Sequence, residues 1–506
     1  MNTLSARALA LLVDGWRGAG SAPAYLALAD RIRLLILDGR IGLGARVPAE
    51  RDLSAQLGVS RTTVSAAYAR LRDAGYLSSV RGSGSVARLP SGTESLPDSA
   101  AFGFVDFSKA SMPALPAVAA AAQRAAEQLP AYLGGSGFDP VGIPVLRQAI
   151  ADRYTARGLP TEADQIMVTL GAQHAIALIA RTLLARGDHA LVESPSYPHA
   201  FEALRAAGAR LVPVAVSTDD GWDEQGFEQA IKRTSPSLGY LMPDFHNPTG
   251  MSMSAEFRER ALELASRTGT TLIADETMAE LGLDGPDGPG ALRALDLPER
   301  AAGLSGSGGT GAPERSLPFA AFARAPGAAS SAILVGSVGK TIWGGLRIGW
   351  IRADRSVIHR LTRARAAGDL GTPILDQLLV TDLLGDYDAI LAERRTYLRI
   401  GRDRLVRLLG ERIPEWTVPH VPGGLTAWVG LGAPVSSQLT LAARNHGLHI
   451  AAGPLFGPEG AFDRFLRIPF SYSEEETVRG VDALAAAWES VGRYPMPEHS
   501  YLAEVV

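Results

Sequence analysis

The stretch Gly336-Ser337-Val338-Gly339-Lys340-Thr341-Ile342-Trp343-Gly344-Gly345-Leu346-Arg347-Ile348-Gly349-Trp350 decides the reading of this chain. An apolar run before it, Ala332 to Val335, predicts a buried strand. The glycines flanking Lys340 leave no bulk between its amine and a ligand. Burial lowers the pKa of a lysine, so a neutral amine able to attack an aldehyde is available there near neutral pH. Arg347 offers a planar donor fork suited to a phosphate. In isolation the same residues could form a surface turn.

Further motifs stand where strands are expected to end. The segments alternate: strand 165–170, helix 174–186, strands 190–193 and 211–216, helix 223–232, strand 238–243, helix 255–268 and strand 271–275. This alternation predicts an α/β domain with a mostly parallel sheet, whose ligands sit at the strand ends. Gly171-Ala172-Gln173 opens a helix whose free amides suit a phosphate. Pro195-Ser196-Tyr197 puts an aromatic ring where it could stack on a cofactor or pack in the core. Asn247-Pro248-Thr249-Gly250 is a turn that aims an amide inward. Asp275 closes the apolar Thr271-Leu272-Ile273-Ala274, where a carboxylate is either functional or paired.

The first 90 residues differ from the rest. They hold twelve Arg, no Lys and six Asp or Glu, a balance of +6, while the whole chain carries -4. An all-arginine basic piece on an acidic body points to phosphate contact. Residues 25–36 have helical apolar spacing, residues 47–58 form a short helix stopped by Gly58, and Ser60 caps a second helix at once. Val64, Ala67, Tyr68 and Leu71 make its buried stripe, leaving Arg61, Thr62 and Ser65 outward. Strands 77–80 and 85–87 flank Arg81-Gly82-Ser83-Gly84, a small basic tip able to enter a minor groove. This pattern is a winged helix-turn-helix.

Composition adds limits. The 506 residues are 46% hydrophobic, enough for two or three domains with real cores. With no cysteine, disulfide and thiolate chemistry are excluded, and the cytoplasm is the expected compartment. Neither a signal peptide nor a membrane partner is expected, because the run from Ala8 to Val13 is too short to span a bilayer.

The N-terminal segment resembles the winged helix of the GntR regulators through Pro48-Ala49-Glu50-Arg51 and Val59-Ser60-Arg61-Thr62-Thr63-Val64. The remainder resembles fold-type I pyridoxal-phosphate aminotransferases from about Val105 to Ser490. Their fusion resembles the MocR family of transcription regulators. The resemblance implies that Lys340 forms an aldimine with pyridoxal 5'-phosphate, Asp275 pairs with the pyridine nitrogen, Asn247 bonds the phenolate and Tyr197 stacks on the ring. It further implies that Ala172, Gln173, Ser337 and Arg347 hold the phosphate and that Arg467, in Phe465-Leu466-Arg467-Ile468-Pro469-Phe470, grips a carboxylate of the effector or substrate. DNA contacts are expected from Arg51, Ser60, Arg61, Thr62, Thr63 and Tyr68, with Arg81, Gly82, Ser83 and Gly84 in the wing; no metal site is expected.

The implied architecture is a DNA-binding domain over residues 1–88, a linker over 89–104, and an aminotransferase-like domain over 105–506 with a smaller C-terminal α+β part. Residues 284–331 are expected to be an inserted surface loop. The implied function is a regulator that binds double-stranded operator DNA as a homodimer and senses an amino compound, or the cofactor itself, at Lys340. Two departures from the family pattern stand out: Thr277 lies where tyrosine is common and Gly339 where serine is frequent. The alternative is an aminotransferase carrying an accessory DNA-binding domain, and whether transamination runs to completion is left open.

Overall fold

The computed structural model describes residues 3–13, 16, 23–37, 41–42, 45–80, 84–88, 104–284, 316–325, 327–458 and 460–492. Its first unit comprises helices α1 (Ala6–Leu12), α2 (Ala24–Leu37), α3 (Glu50–Leu57) and α4 (Arg61–Asp73), then strands β1 (Leu77–Val80) and β2 (Gly84–Ala87). Gly58 ends α3 with φ 62°, the left-handed conformation in which a glycine carries no Cβ penalty, and the chain turns straight into α4. The Ser60 hydroxyl caps α4 by accepting from the Thr63 amide at 3.1 Å. Leu28, Ile32 and Leu35 of α2 pack with Val64, Ala67 and Leu71 of α4 in one core. Strands β1 and β2 pair antiparallel with Leu77 opposite Ala87. This is the winged helix-turn-helix that the sequence pattern predicts.

The elements that follow are β3 (Val105–Asp106), α5 (Ala117–Gln128), α6 (Pro144–Ala156), β4 (Ile166–Thr169), α7 (Ala172–Leu183), β5 (His189–Ser194) and α8 (Pro198–Ala206). Next come β6 (Arg210–Ser217), β7 (Gly221–Trp222), α9 (Glu224–Thr234), β8 (Leu238–Leu241), α10 (Ala255–Thr268), β9 (Thr271–Asp275), β10 (Ala332–Ser337) and β11 (Gly349–Arg352). Strands β4 to β11 form one sheet in the order β4-β11-β10-β9-β8-β5-β6-β7. The sheet is mostly parallel, but β11 runs antiparallel to both β10 and β4, and β7 antiparallel to β6. Its two faces are both covered. Met167, Val192, Tyr240, Ile273, Ile333 and Ile351 enter one core, while Val168, Leu191, Leu241, Leu272 and Leu334 enter the other. That period-two division of continuous apolar strands is what a sheet buried on both sides requires.

The chain continues through α11 (Arg355–Arg365), α12 (Ile374–Gly385), α13 (Tyr387–Arg412), β12 (Thr426–Gly430), α14 (Ser436–Asn445), β13 (Leu448–His449), β14 (Ala451–Ala452), β15 (Phe465–Pro469) and α15 (Glu474–Gly492). Strands β12, β15 and β14 form a small antiparallel sheet, and β13 pairs parallel with β3.

One expectation needs correction. The stretch 284–331 is not a surface loop throughout, because Leu317, Phe319, Ala320, Phe322 and Ala328 are buried in the main core. The Phe319 amide donates to Oε1 of buried Glu276 at 2.7 Å, and Arg157 Nε donates to the Ser316 carbonyl at 2.9 Å. A segment with three buried aromatic or leucine side chains reads as irregular because it forms short 3-10 turns rather than a periodic helix. Residues 285–315 and Pro326 of that stretch, and residues 89–103 of the expected linker, lie outside the described residues.

Candidate functional site

Lys340 follows β10 and is partly buried. Its Nζ donates to the Ala110 carbonyl at 2.6 Å. Burial, then the charge of Arg467, pulls its pKa down to about 8; Asp275 opposes this shift and Arg347 adds slightly to it. An appreciable fraction of the amine is therefore neutral at physiological pH.

Asp275 ends the neighbouring strand, with Val335 as its register partner. It is buried, which pushes its pKa up, but both oxygens accept hydrogen bonds that oppose this. Tyr240 donates its hydroxyl to Oδ2 at 2.7 Å, and the Thr277 amide donates to Oδ1 at 3.0 Å. Tyr240 escaped sequence reasoning because a tyrosine inside a four-residue buried strand looks like packing. Its register partner on β9 is Ile273, so Asp275 is its diagonal neighbour on the same face, a relation visible only once the strands are paired.

The turn after β8 carries Asn247, which is buried with Oδ1 unpartnered. Phe245, two residues earlier, has φ 46°, unusual for a bulky residue. The turn is braced from within. His246 Nδ1 lies 2.9 Å from the Thr249 hydroxyl, and its Nε2 lies 3.3 Å from Glu193. Fully buried Glu193 accepts from Trp222 Nε1 at 2.7 Å and the Met242 amide at 2.9 Å.

A cradle of backbone amides stands at the N-terminus of α7. Gly171 caps this helix with φ 81°, and a Cβ there would lie 2.8 Å from Arg347 Nη2. Arg347 Nη2 donates to the Leu170 carbonyl at 3.1 Å, placing an exposed guanidinium beside the first-turn amides of Ala172 and Gln173. Gln173 donates Nε2 to His199 at 2.9 Å and leaves a buried Oε1 unpartnered. Ser337 gives its proton to the Ile348 carbonyl at 3.0 Å and accepts from the Gly339 amide at 3.0 Å, so its hydroxyl is already engaged.

Tyr197 is partly buried at the N-terminus of α8. Burial, reinforced by Asp275, raises its pKa to about 12, which keeps the ring neutral. Arg467, on β15, is 7% exposed, and its guanidinium lies 5.2 Å from the Phe456 ring. Burial lowers its pKa to about 10. One Nη donates to the Ser108 carbonyl, while Nε is buried and unpartnered. Lys340 and Tyr197 each feel the charges of Asp275, Arg347 and Arg467, so the five groups lie within electrostatic reach of one another.

These groups fit pyridoxal phosphate on structural grounds. The unpartnered buried atoms of Asn247 and Arg467 face the need for a polar ligand, and the glycine-lined cradle beside Arg347 suits a phosphate.

At the other end of the chain Arg51, Ser60, Arg61 and Thr62 are exposed and Thr63 is half-buried. Ser60 Oγ lies 2.7 Å from the Thr62 hydroxyl and 2.8 Å from that of Thr63, which fixes the start of α4. Tyr68 corrects the expected DNA set. It is 1% exposed, with its hydroxyl donating to the Pro48 carbonyl at 3.0 Å, because its place in the apolar stripe of α4 turns it into the core. Gly84 lies on β2, exposed, whereas Arg81, Gly82 and Ser83 fall outside the described residues.

A doubly covered sheet with its lysine, aspartate and anion cradle at the strand ends, joined to a winged helix, defines a fold-type I aminotransferase domain fused to a helix-turn-helix. The chain belongs to the aminotransferase class I and II family, whose model matches residues 103–484. Residues 24–86 match the bacterial regulatory proteins, gntR family. The HTH-type transcriptional regulator YdcR of Escherichia coli is 26% identical over 91% of this chain and 98% of its own length. The probable rhizopine catabolism regulatory protein MocR of Rhizobium meliloti is 27% identical over 78% of each chain. Among solved structures, the alpha-aminoadipate aminotransferase LysN of Thermus thermophilus, complexed with N-(5'-phosphopyridoxyl)-L-leucine, superposes with TM-score 0.64 at 25% identity, covering 78% of this chain and 95% of that one.

Proposed function

We propose that this protein is a transcription regulator that binds operator DNA through its winged helix and pyridoxal phosphate, with an amino compound, through the site around Lys340. The observation that carries this reading is the joining, in one chain, of an exposed Ser60-Arg61-Thr62 helix start to a partly buried lysine with a lowered pKa. Pyridoxal phosphate, when bound, supplies an aldehyde that condenses with primary amines and a ring that withdraws electrons. Asp275 holds negative charge against the ring nitrogen, kept in place by Tyr240 and the Thr277 amide. Arg347 and the amides of Ala172 and Gln173 hold the phosphate. Asn247 would offer its amide to the ring oxygen, and Tyr197 would cover the ring. Arg467 binds a carboxylate with the donors left free by Ser108.

Two such chains are proposed to act together, because helix-turn-helix proteins commonly read paired half-sites. The enzyme alternative draws on the same lysine and aspartate, and the DNA-reading end of the chain favours regulation. Selection of DNA ligands from a random pool with the full chain, with and without pyridoxal phosphate, tests the reading. A recovered consensus whose affinity responds to cofactor and amino acid supports it; rapid multiple turnover of amino acid with no selected DNA favours the enzyme.

A further inference from the structure

The backbone from Asp106 to Ser111 lies as a strap against the site. Five of its carbonyls accept hydrogen bonds from four side chains. Lys340 donates to Ala110 at 2.6 Å, Arg467 to Ser108, Ser471 to Ser111 at 3.0 Å, and the single hydroxyl proton of Tyr472 is shared between Lys109, at 2.8 Å, and Asp106. Behind the strap, β3 pairs with β13, and the Phe107 ring packs so closely on Gly480 that a Cβ there would come within 2.2 Å. The Asp106 carboxylate turns back to the Ser108 amide at 3.1 Å and to Lys109 Nζ at 3.0 Å. The strap is therefore firmly seated, but two of its four donors are the residues assigned above to ligand and cofactor.

Those two contacts are replaceable. A carboxylate is a stronger acceptor for a guanidinium than a peptide carbonyl is, because its hydrogen bonds are charge-assisted. Arg467 retains a buried, unpartnered Nε with which to meet such a group. At Lys340, condensation of the neutral amine with an aldehyde forms a C=N bond and releases one water. It leaves at most one N–H where the ammonium had three, so the donor to Ala110 is weakened or redirected. Ser471 and Tyr472 do not change with ligand. They follow Arg467 at the exit of β15 and hold the strap next to the contacts that do.

We propose that Ser471 and Tyr472 are positioning residues that set the 106–111 strap in competition with the ligand carboxylate for Arg467 and with the cofactor for Lys340, so that the strap reports occupancy of the site. The inference rests on the ligand assignment in the proposed function and adds the element that carries the signal. In sequence the strap follows the wing strand β2 and precedes the helices of the second domain, and through this position its displacement is proposed to act on the DNA-reading domain. A ligand with different affinity for the seated and displaced strap must shift DNA affinity by that difference.

The test uses the full chain loaded with pyridoxal phosphate and two probes that differ by one carboxylate, 2-aminoisobutyrate and isopropylamine. Hydrogen–deuterium exchange is followed in peptides covering residues 104–115, with affinity for a DNA selected by the wild-type chain measured in parallel. Each probe forms a C=N bond to the cofactor carbon as that of Lys340 breaks, which frees the lysine amine to donate to Ala110 again. At saturation of the visible absorbance change isopropylamine is therefore expected to slow exchange in this segment or leave it unchanged, while 2-aminoisobutyrate, whose carboxylate draws Arg467 from Ser108, is expected to speed it. Tyr472→Phe combined with Ser471→Ala should speed the same exchange about fivefold or more without either probe. It should also move DNA affinity in the direction that 2-aminoisobutyrate moves the wild type. The inference is overturned if strap exchange stays unchanged at saturating 2-aminoisobutyrate, or if the double variant loosens the strap and binds DNA as the wild type does. A chain with no cofactor band or no selected DNA overturns the proposed function and this inference with it; failure of the strap measurements alone overturns only the latter.

Discussion

The Tyr240 hydroxyl donates to Oδ2 of Asp275 at 2.7 Å from the adjacent strand, inside a core where both residues are buried. Hydrogen bonding to a carboxylate favours its ionised form, against the upward push of burial. Tyr240 thus keeps negative charge on the group proposed to face the cofactor ring. Tyr240→Phe should weaken pyridoxal phosphate binding about tenfold, the low end for a hydrogen bond to a charged group. Spectrophotometric titration checks this, and an unchanged dissociation constant would reduce Tyr240 to packing.

Lys340 gives a pH dependence with a definite sign. Its pKa is lowered to about 8, so the reactive neutral amine grows as pH rises through that value. The association rate of pyridoxal phosphate should therefore increase from pH 7 to 9 with a midpoint of about 8. Lys340→Ala should abolish the borohydride-stable adduct. Mass mapping of an adduct to another lysine would refute the assignment.

Arg61 and Tyr68 sit on the same helix with opposite burial. Arg61→Ala should weaken DNA binding by about 1–3 kcal/mol if the contact is a bidentate base pair. Tyr68→Phe deletes the bond to Pro48 and should lower the stability of the winged helix by about 1 kcal/mol. Gel-shift affinity and urea unfolding separate the two effects.

Phe319 reports on the segment expected to be a loop. Its ring is fully buried, so Phe319→Ala should destabilise the protein by about 3–5 kcal/mol, measurable as a lower urea midpoint. A change near zero would mean that the segment after residue 315 packs loosely.

Glu193 braces the Asn247 turn through Trp222, Met242 and His246. Glu193→Ala leaves two buried N–H donors unpaired, each at a cost of about 1–3 kcal/mol. The expected outcome is reduced stability together with weaker cofactor binding, seen by calorimetry and absorbance titration.

The amino-acid sequence by itself determined the two-part architecture, since periodicity, caps and turn residues are local. Ser60 caps α4 and Gly58 turns in the left-handed region because of their own chemistry, and the alternation of apolar strands with amphipathic helices leaves few other folds. Lys340, Asp275, Asn247 and Arg347 stood out for local reasons too, glycines around the lysine, an apolar strand closed by the aspartate, a turn around the asparagine and a donor fork after two glycines, while their roles rest on the proposed function. Tertiary structure decided what depends on pairing between distant segments. Only strand register brings Tyr240 to Asp275, and only the close packing of β15 on the N-terminal strap brings the Ser108 carbonyl to Arg467, residues separated by 359 positions. Tyr68 turns inward with the apolar stripe of α4, as its spacing states, and its place among the DNA contacts came from the resemblance alone. The aromatic residues after 315 were misread because their burial follows from the cavity they fill between distant elements, without any local period to announce it.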